Sequence, residues 1–589
     1  MTAETRAQES SIRYEADERP PLPLSAGLGL QLAVLTVAGI VFTPAIVVSA
    51  AGGSDEYASW AVFAAVAISG LTTFLQARRI GRVGSGYVLL MGTSGAFIAV
   101  CVAAIAKAGP ATLATLVIVS SLFQFALAHR LDLFRRVLTP TVAGTVIMLI
   151  PVTVMPIVFE NMTKVPETSW VLAAPLTALV TIVVITVLAL KATGTLRLWA
   201  PVIGVIVGSV FASFFGLYEV ESIADAAWIG LPEGAWPGID LQFGAAFWAL
   251  LPAFVLVTLI GAIETVGDAV AIQRVSWRKP RAVDYRAVQG ALSADGVGNL
   301  LSGIAGTVPN TTYSTSIAAT ELTGVAARTV GIAAGVIFVI FAFVPKALAA
   351  VLAVPLPVVG AYLVVLLSLL FVVGITVVLR DGIDYRKGVI VGISFWVGVG
   401  FQNGAIFPDL VTGVAGGLFE NGMTSGGLVA IMLTLFVELT SPRRSKMRSK
   451  LDPSALPRIQ EFLRSFSSRC GFDSPMANRI EAAAEETLLI LHESERNSGD
   501  PGQRNLSLTA LRDSETAVLE FVATGAEENI QDQIAFLGKQ VAGPNSIEND
   551  VAFRLLRHLS SSVRHQQFHD TDVITLTVKP PTGPAPRQS

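Results

Sequence analysis

Apolar stretches long enough to cross a bilayer recur between residues 25 and 440, separated by short polar loops. This pattern restricts the fold more than any other feature, because backbone groups in hydrocarbon must be satisfied within the segment. Taking about 20 residues per crossing, helices fall at 25–49, 57–76, 86–106, 110–128, 138–158, 170–190 and 198–216. A second set follows at 244–273, 288–305, 313–326, 329–350, 354–379, 387–404 and 422–440. The expected architecture is an all-α polytopic membrane protein of fourteen segments, the third and tenth short and broken, followed by an α/β domain. The composition agrees: 14% of residues are charged and mean hydropathy is +0.63, against about 25% charged in soluble domains. A net charge of −3 averages a membrane part with a soluble part and gives no case for nucleic-acid binding. Cys101 and Cys470 offer neither a disulfide nor a metal framework.

Basic residues test the count, since one missed helix would scramble their distribution. Alternate loops carry Arg78, Arg79 and Arg82; Arg130, Arg135 and Arg136; Lys191 and Arg197; Arg274, Arg278, Lys279, Arg281 and Arg286; Arg328; and Arg380, Arg386 and Lys387. The intervening loops hold only Lys107, Lys164 and Lys346. Both termini are therefore expected in the cytoplasm and the chain in the inner (plasma) membrane. Five units follow: a disordered tail over 1–24, a membrane domain over 25–440, a basic linker over 441–450, a cytoplasmic domain over 451–579 and a disordered tail over 580–589.

Two segments at membrane depth are unsuited to a plain helix. Gly84-Ser85-Gly86-Tyr87 leads to Gly92-Thr93-Ser94-Gly95 in the third crossing, and Gly306-Thr307-Val308-Pro309-Asn310-Thr311-Thr312-Tyr313 occupies the tenth. They stand seven crossings apart, as discontinuous segments do in inverted repeats that bind solute at mid-membrane. Close helix packing through glycine is the plainer alternative.

Glu264 sits ten residues before Arg274, about 15 Å from that basic end and so near the bilayer centre. A carboxylate there costs several kcal/mol, which makes it a candidate for solute contact and proton exchange. Asp268 follows one turn later on the same face, and Asp295 in the next crossing completes an acidic cluster. A structural ion pair or hydrogen bond between helices is the alternative for each.

These residues resemble the nucleobase–ascorbate transporter family, which includes bacterial uracil and xanthine permeases. The resemblance spans about residues 20–440 and is carried by Pro20-Pro21-Leu22 before Gly29-Leu30-Gln31, Gly92-Thr93-Ser94, Glu264-Thr265-Val266-Gly267-Asp268, Ala294-Asp295-Gly296-Val297-Gly298, Pro309-Asn310-Thr311-Thr312-Tyr313 and Leu322-Thr323-Gly324-Val325. It implies two inverted seven-helix repeats, a homodimer, and short strands in the third and tenth segments that frame the substrate. By resemblance, Glu264 hydrogen-bonds a base, Asp268 and Asp295 support proton coupling, and Gly92, Thr93, Ser94, Asn310, Thr311, Thr312, Tyr313, Thr315 and Ser316 complete the binding site. The chain departs from the family at Thr315, where a Gln or Glu is usual, at Ser316 in place of Asn, and at Leu32 in place of a histidine. A threonine hydroxyl cannot make a two-pronged amide contact.

Residues 451–579 are charged and mixed polar. Ile480, Ala484, Thr487, Leu488 and Leu491 recur at helical spacing. Ala517–Val522 and Val573–Val578 read as strands, and Val551–Val563 as an amphipathic helix. Glu485-Glu486-Thr487 and the segment 553–578 resemble the first-helix motif and closing elements of the Bergerat-fold ATPase domain of anti-sigma-factor and histidine kinases. Leu489 or Ile490 stands where that family places the magnesium-binding Asn, Ala523-Thr524-Gly525-Ala526 replaces its adenine contact, and Glu548-Asn549-Asp550-Val551 replaces the lid glycines. No ATP or other cofactor is expected there; a cytosolic regulatory protein is the candidate partner.

The expected function is secondary active transport of a nucleobase-like or other small polar solute, coupled to protons or Na+, with no enzymatic activity. Two alternatives stay open: a ligand-sensing receptor signalling through the kinase-like tail, and an anion carrier. The fixed charge of Glu264 opposes the latter.

Overall fold

The computed structural model describes residues 12–131, 139–166, 169–218, 221–232, 234–380, 382, 384–407, 421–440, 444–497, 505–513, 515–523, 529–536 and 546–580. The chain divides into two compact units, one of residues 1–278 and 287–439, the other of Lys279–Arg286 with Thr440–Ser589.

The first unit is helical. In chain order it holds α1 (Leu22–Ala50), α2 (Asp55–Arg78), a strand β1 (Leu90–Thr93), α3 (Ile98–Ala108), α4 (Pro110–His129), α5 (Pro140–Met162), α6 (Ala173–Lys191), α7 (Ala200–Ser213) and α8 (Ala245–Arg274). There follow α9 (Tyr285–Ala305), a strand β2 (Asn310–Tyr313), α10 (Thr315–Thr323), α11 (Arg328–Ala342), α12 (Pro345–Leu352), α13 (Leu356–Arg380), α14 (Tyr385–Gln402) and α15 (Gly422–Thr440). Each of the fourteen stretches read from the sequence overlaps at least one of these helices, and 329–350 overlaps two, α11 and α12. Among the described residues, eight are long and apolar enough to cross a membrane, or nine if α11 and α12, bent by 87°, form one span. The others are shorter or more polar, so helix length alone does not establish fourteen crossings. Apolar side chains such as Leu369, Val372, Val373 and Leu379 of α13 lie exposed, as lipid-facing positions of a multi-pass membrane protein do.

Helix starts follow local chemistry. Pro21 and Pro23 open α1, where a missing N–H costs nothing. Ser54 caps α2 by accepting from the Tyr57 N–H at 3.2 Å, with Asp55 and Glu56 in the first turn. Small residues set the closest approaches: a Cβ on Gly70 would lie 2.8 Å from the Gly335 carbonyl, so α2 and α11 touch backbone to backbone.

The amino-terminal segment departs from expectation. Rather than being disordered to residue 24, the chain is fixed from residue 12 and enters α1 at Leu22; residues 1–11 lie outside the described residues. Tyr14 pairs with Val325 in a parallel bridge. Arg13 N–H and Tyr14 N–H donate to the Gly324 carbonyl at 2.6 and 3.1 Å, and Ala326 N–H donates to the Tyr14 carbonyl at 2.8 Å. The Arg278 guanidinium grips both oxygens of Glu18 at 2.8 and 2.7 Å and also donates to the Ile12 and Arg13 carbonyls, while Arg328 pairs with Asp17. Backbone pairing and a bidentate ion pair thus strap this segment across the ends of α8 and α11.

The second unit is α/β. A five-stranded antiparallel sheet has the order β3-β4-β5-β7-β6, with β3 (Ser445–Lys450), β4 (Asn505–Asp513), β5 (Thr516–Ala523), β6 (Ser562–Gln567) and β7 (Asp572–Val578). Residues 445–450, expected to be a linker, form its edge strand: all six pair in register with β4, and alternate side chains are partly buried. Helices α16 (Leu456–Cys470), α17 (Ser474–Asn497), α18 (Ile530–Phe536) and α19 (Ser546–Leu559) complete the unit. The anticipated stripe is real: Ile480, Ala484, Leu488 and Leu491 join Ile459, Leu463, Leu519, Phe521 and Leu576 in one core. Segment 279–286 belongs here as well, where the Asp532 carboxylate accepts from Ala282 N–H at 2.6 Å and Tyr285 and Phe568 rings lie 5.1 Å apart. The positions read as a lost adenine contact fall mostly at 524–526, outside the described residues.

Candidate functional site

The two broken segments meet. β1 and β2 pair antiparallel with Leu90 opposite Tyr313, Met91 opposite Thr312, Gly92 opposite Thr311 and Thr93 opposite Asn310. All four residues of β1 are buried, as are Asn310, Thr311 and Thr312. Irregular backbone at this depth persists because protein satisfies it: Ser94 N–H donates to the Pro309 carbonyl at 2.9 Å and Met91 N–H to Thr73 Oγ1 at 2.9 Å. Gly92 is required by contact, since a Cβ there would lie 2.4 Å from Cζ of Tyr313. The Tyr313 hydroxyl donates to the Thr93 carbonyl at 2.9 Å, and Thr93 Oγ1 in turn donates to the Gly39 and Ile40 carbonyls of α1.

The acidic cluster separates into three different settings. Asp268 accepts from Thr312 Oγ1 and Ser314 Oγ, both at 2.8 Å, so it anchors the end of β2. Asp295 is 1% exposed and accepts from Gln124 Nε2 of α4 at 2.5 Å and from Thr265 Oγ1 of α8 at 2.7 Å. Asn299 Nδ2 donates to Gln124 Oε1 at 2.7 Å, and Asn299 Oδ1 accepts from Asn310 N–H at 2.6 Å. Glu264, one turn before Asp268, is half-buried and makes no hydrogen bond or ion pair among the described residues. Two carboxylates therefore serve as struts, and the third is left open.

The remaining expected site residues divide the same way. Asn310 is committed to Asn299 and Thr72, Thr312 to Asp268, Tyr313 to Thr93, and Ser316 Oγ to the Tyr313 carbonyl at 2.9 Å. Thr315, the first residue of α10, is half-buried and makes no side-chain hydrogen bond among the described residues. Among the described residues, Ser94 Oγ and Thr311 Oγ1 are buried without a partner. Gln124 and Asn299 did not emerge from the sequence reading, and Thr265 appears there only as part of a motif, with no role of its own. Gln124 could have, because an amide within an apolar run is costly for the reason that applies to Glu264.

Residues 25–405 match the Xan_ur_permease model, described as a permease family. The chain belongs to the permease family. A Clostridium perfringens protein named as a purine permease is 26% identical over 456 residues, covering 75% of this chain and 97% of that protein. The xanthine permease XanP of Escherichia coli is 27% identical over 454 residues, 73% of this chain and 95% of its own length. Among solved structures, the murine anion transporter Slc26a9 in its inward-facing state superposes with a TM-score of 0.49 at 13% identity, covering 73% of this chain and 71% of that one. By its family and its apolar helices, this permease is a multi-pass membrane transporter of a small-molecule substrate and not an enzyme.

Proposed function

We propose that this permease carries a xanthine- or purine-like nucleobase by ion-coupled symport, with Glu264 as the group that hydrogen-bonds the base. The observation that carries the reading is the open carboxylate: Glu264 lacks a partner where neighbouring Asp268 and Asp295 have at least two each. An unpaired intramembrane carboxylate is costly unless something polar meets it in the working cycle. A nucleobase edge supplies N–H donors, and Thr315 offers a hydroxyl near the same strand. The relatives' names favour xanthine and purines over other small polar solutes.

Proton coupling, fourteen crossings in inverted repeats, cytoplasmic termini in the inner membrane and a homodimer belong to the same proposal. The second unit is read as a nucleotide-free regulatory module of kinase-like descent, supported by its helix and strand order and by Leu489 and Ile490.

Uptake of labelled xanthine, hypoxanthine and uracil in a host lacking its own base transporters tests the reading. Wild type should accumulate at least one base, a protonophore should abolish accumulation, and Glu264→Gln should remove it. Unchanged uptake in Glu264→Gln, or no base accumulated by wild type, would sink it.

A further inference from the structure

Asp295 touches the helix that carries Glu264 directly, through Thr265, but reaches the strand pair through amides: Asn299 Nδ2 donates to Asp295 Oδ1 at 3.5 Å and more closely to Gln124 Oε1, whose own NH2 donates to Asp295. Gln124, Asp295, Asn299 and Asn310 are each at most 3% exposed, so water does not adjust this chain. An isolated side-chain amide can present its oxygen or its nitrogen to either side. Here the choice is forced from one end. The carboxylate accepts only, so Gln124 turns its NH2 toward it. The Gln124 oxygen then faces Asn299, which must answer with its own NH2. That leaves Asn299 Oδ1 as the acceptor for Asn310 N–H, where β2 begins. The charge at 295 thereby fixes what the strand meets, through Asn299 directly and through Gln124.

We propose that Gln124 and Asn299 are positioning residues that pass the orientation imposed by Asp295 to the backbone of β2, and so set where Tyr313 and Thr315 stand relative to Glu264. The consequence for solute affinity rests on the function proposed above; the polarity of the chain does not.

Removing the charge makes a directed prediction. In Asp295→Asn, the new NH2 faces either Gln124 Nε2, which turns Gln124 and then Asn299 around, or Asn299 Nδ2, which turns Asn299 around directly; in both cases two donors collide at Asn310 N–H. Two second-site changes cure that collision in different ways. Adding Asn299→Asp supplies an acceptor to Asn310 N–H and to the reversed Gln124. Adding Gln124→Glu provides a carboxylate that accepts both from the introduced amide at position 295 and from Asn299, which keeps Asn299 in its original orientation. Either Asn299→Asp or Gln124→Glu alone places two carboxylates in one dry chain and should be as harmful as Asp295→Asn.

The test measures the thermal midpoint of the full chain purified in detergent, with no solute, and KM for base uptake in cells. Asp295→Asn should lower the midpoint and raise KM by about tenfold or more. Both double variants should recover most of the midpoint and bring KM to within about threefold of wild type. Double variants that melt no higher than Asp295→Asn, or that are recovered only unfolded, overturn the relay. Restored midpoints alongside a wild type that moves no nucleobase would uphold the relay and reject the solute reading instead.

Discussion

Gly92 faces the ring of Tyr313 so closely that even a methyl group has no room. Gly92→Ala should cost roughly 1–3 kcal/mol as overpacking and lower the thermal midpoint of the purified protein. Gly92→Ala with Tyr313→Ala should lose less than the two single changes summed, because the clash disappears with the ring. At Asp268 the expected loss is of anchorage: Asp268→Asn keeps one acceptor for the Thr312 and Ser314 hydroxyls, whereas Asp268→Ala leaves both donors unmet. The alanine variant should therefore melt lower than the asparagine variant. Glu264 was legible in the sequence because depth alone makes a carboxylate conspicuous. Its difference from Asp268 and Asp295 was not, since that depends on partners from α4, α8 and β2 that lie 30 to 171 residues away. Thr312 is a strand anchor rather than an open contact for the same reason.

Among elements, the breaks in the third and tenth segments could be read from Gly, Pro and Asn, but not their pairing in one two-stranded sheet. Four residues carry too little periodicity to declare a strand, and no local signal names a partner more than 200 residues away. The amino-terminal strap was missed outright, because it is held by backbone bonds and two ion pairs and shows no apolar pattern. Its chemistry is testable. The Arg278 guanidinium holds the Glu18 carboxyl below its ordinary value of 4.5. A lowered folded value means that the contact is fully present above pH 4.5 and is lost as the pH falls through the folded value. Protection of the amides of residues 13–16 against exchange, taken relative to the intrinsic rate at each pH, should be high at neutral pH and fall below that window. Arg278→Ala should expose the same segment to trypsin at Arg13 at neutral pH. Because the pair is exposed, the cost to global stability should be small.

At the scale of the molecule, the division into a membrane part and a charged α/β part was plain from where the charges fall. The border itself was not. The basic run after α15 looks like a juxtamembrane linker, yet residues 445–450 pair with β4 because Lys and Arg alternate with residues that can face the sheet. Nor could composition reveal that the second unit draws eight residues from the connection between α8 and α9, the last two of them opening α9. If the tail is free of nucleotide, the purified full chain should show no shift in its thermal midpoint with an ATP analogue and magnesium, and a saturable shift would overturn that reading. The borrowed segment has a practical corollary. A tail produced by cutting the chain at residue 440 would lack Lys279–Arg286, leaving Asp532 and the ring of Phe568 without the groups they now meet. Such a fragment is an incomplete domain, to be completed by supplying the octapeptide in trans. Any pull on that octapeptide is transmitted along the main chain to the two helices that hold Glu264 and Asp295.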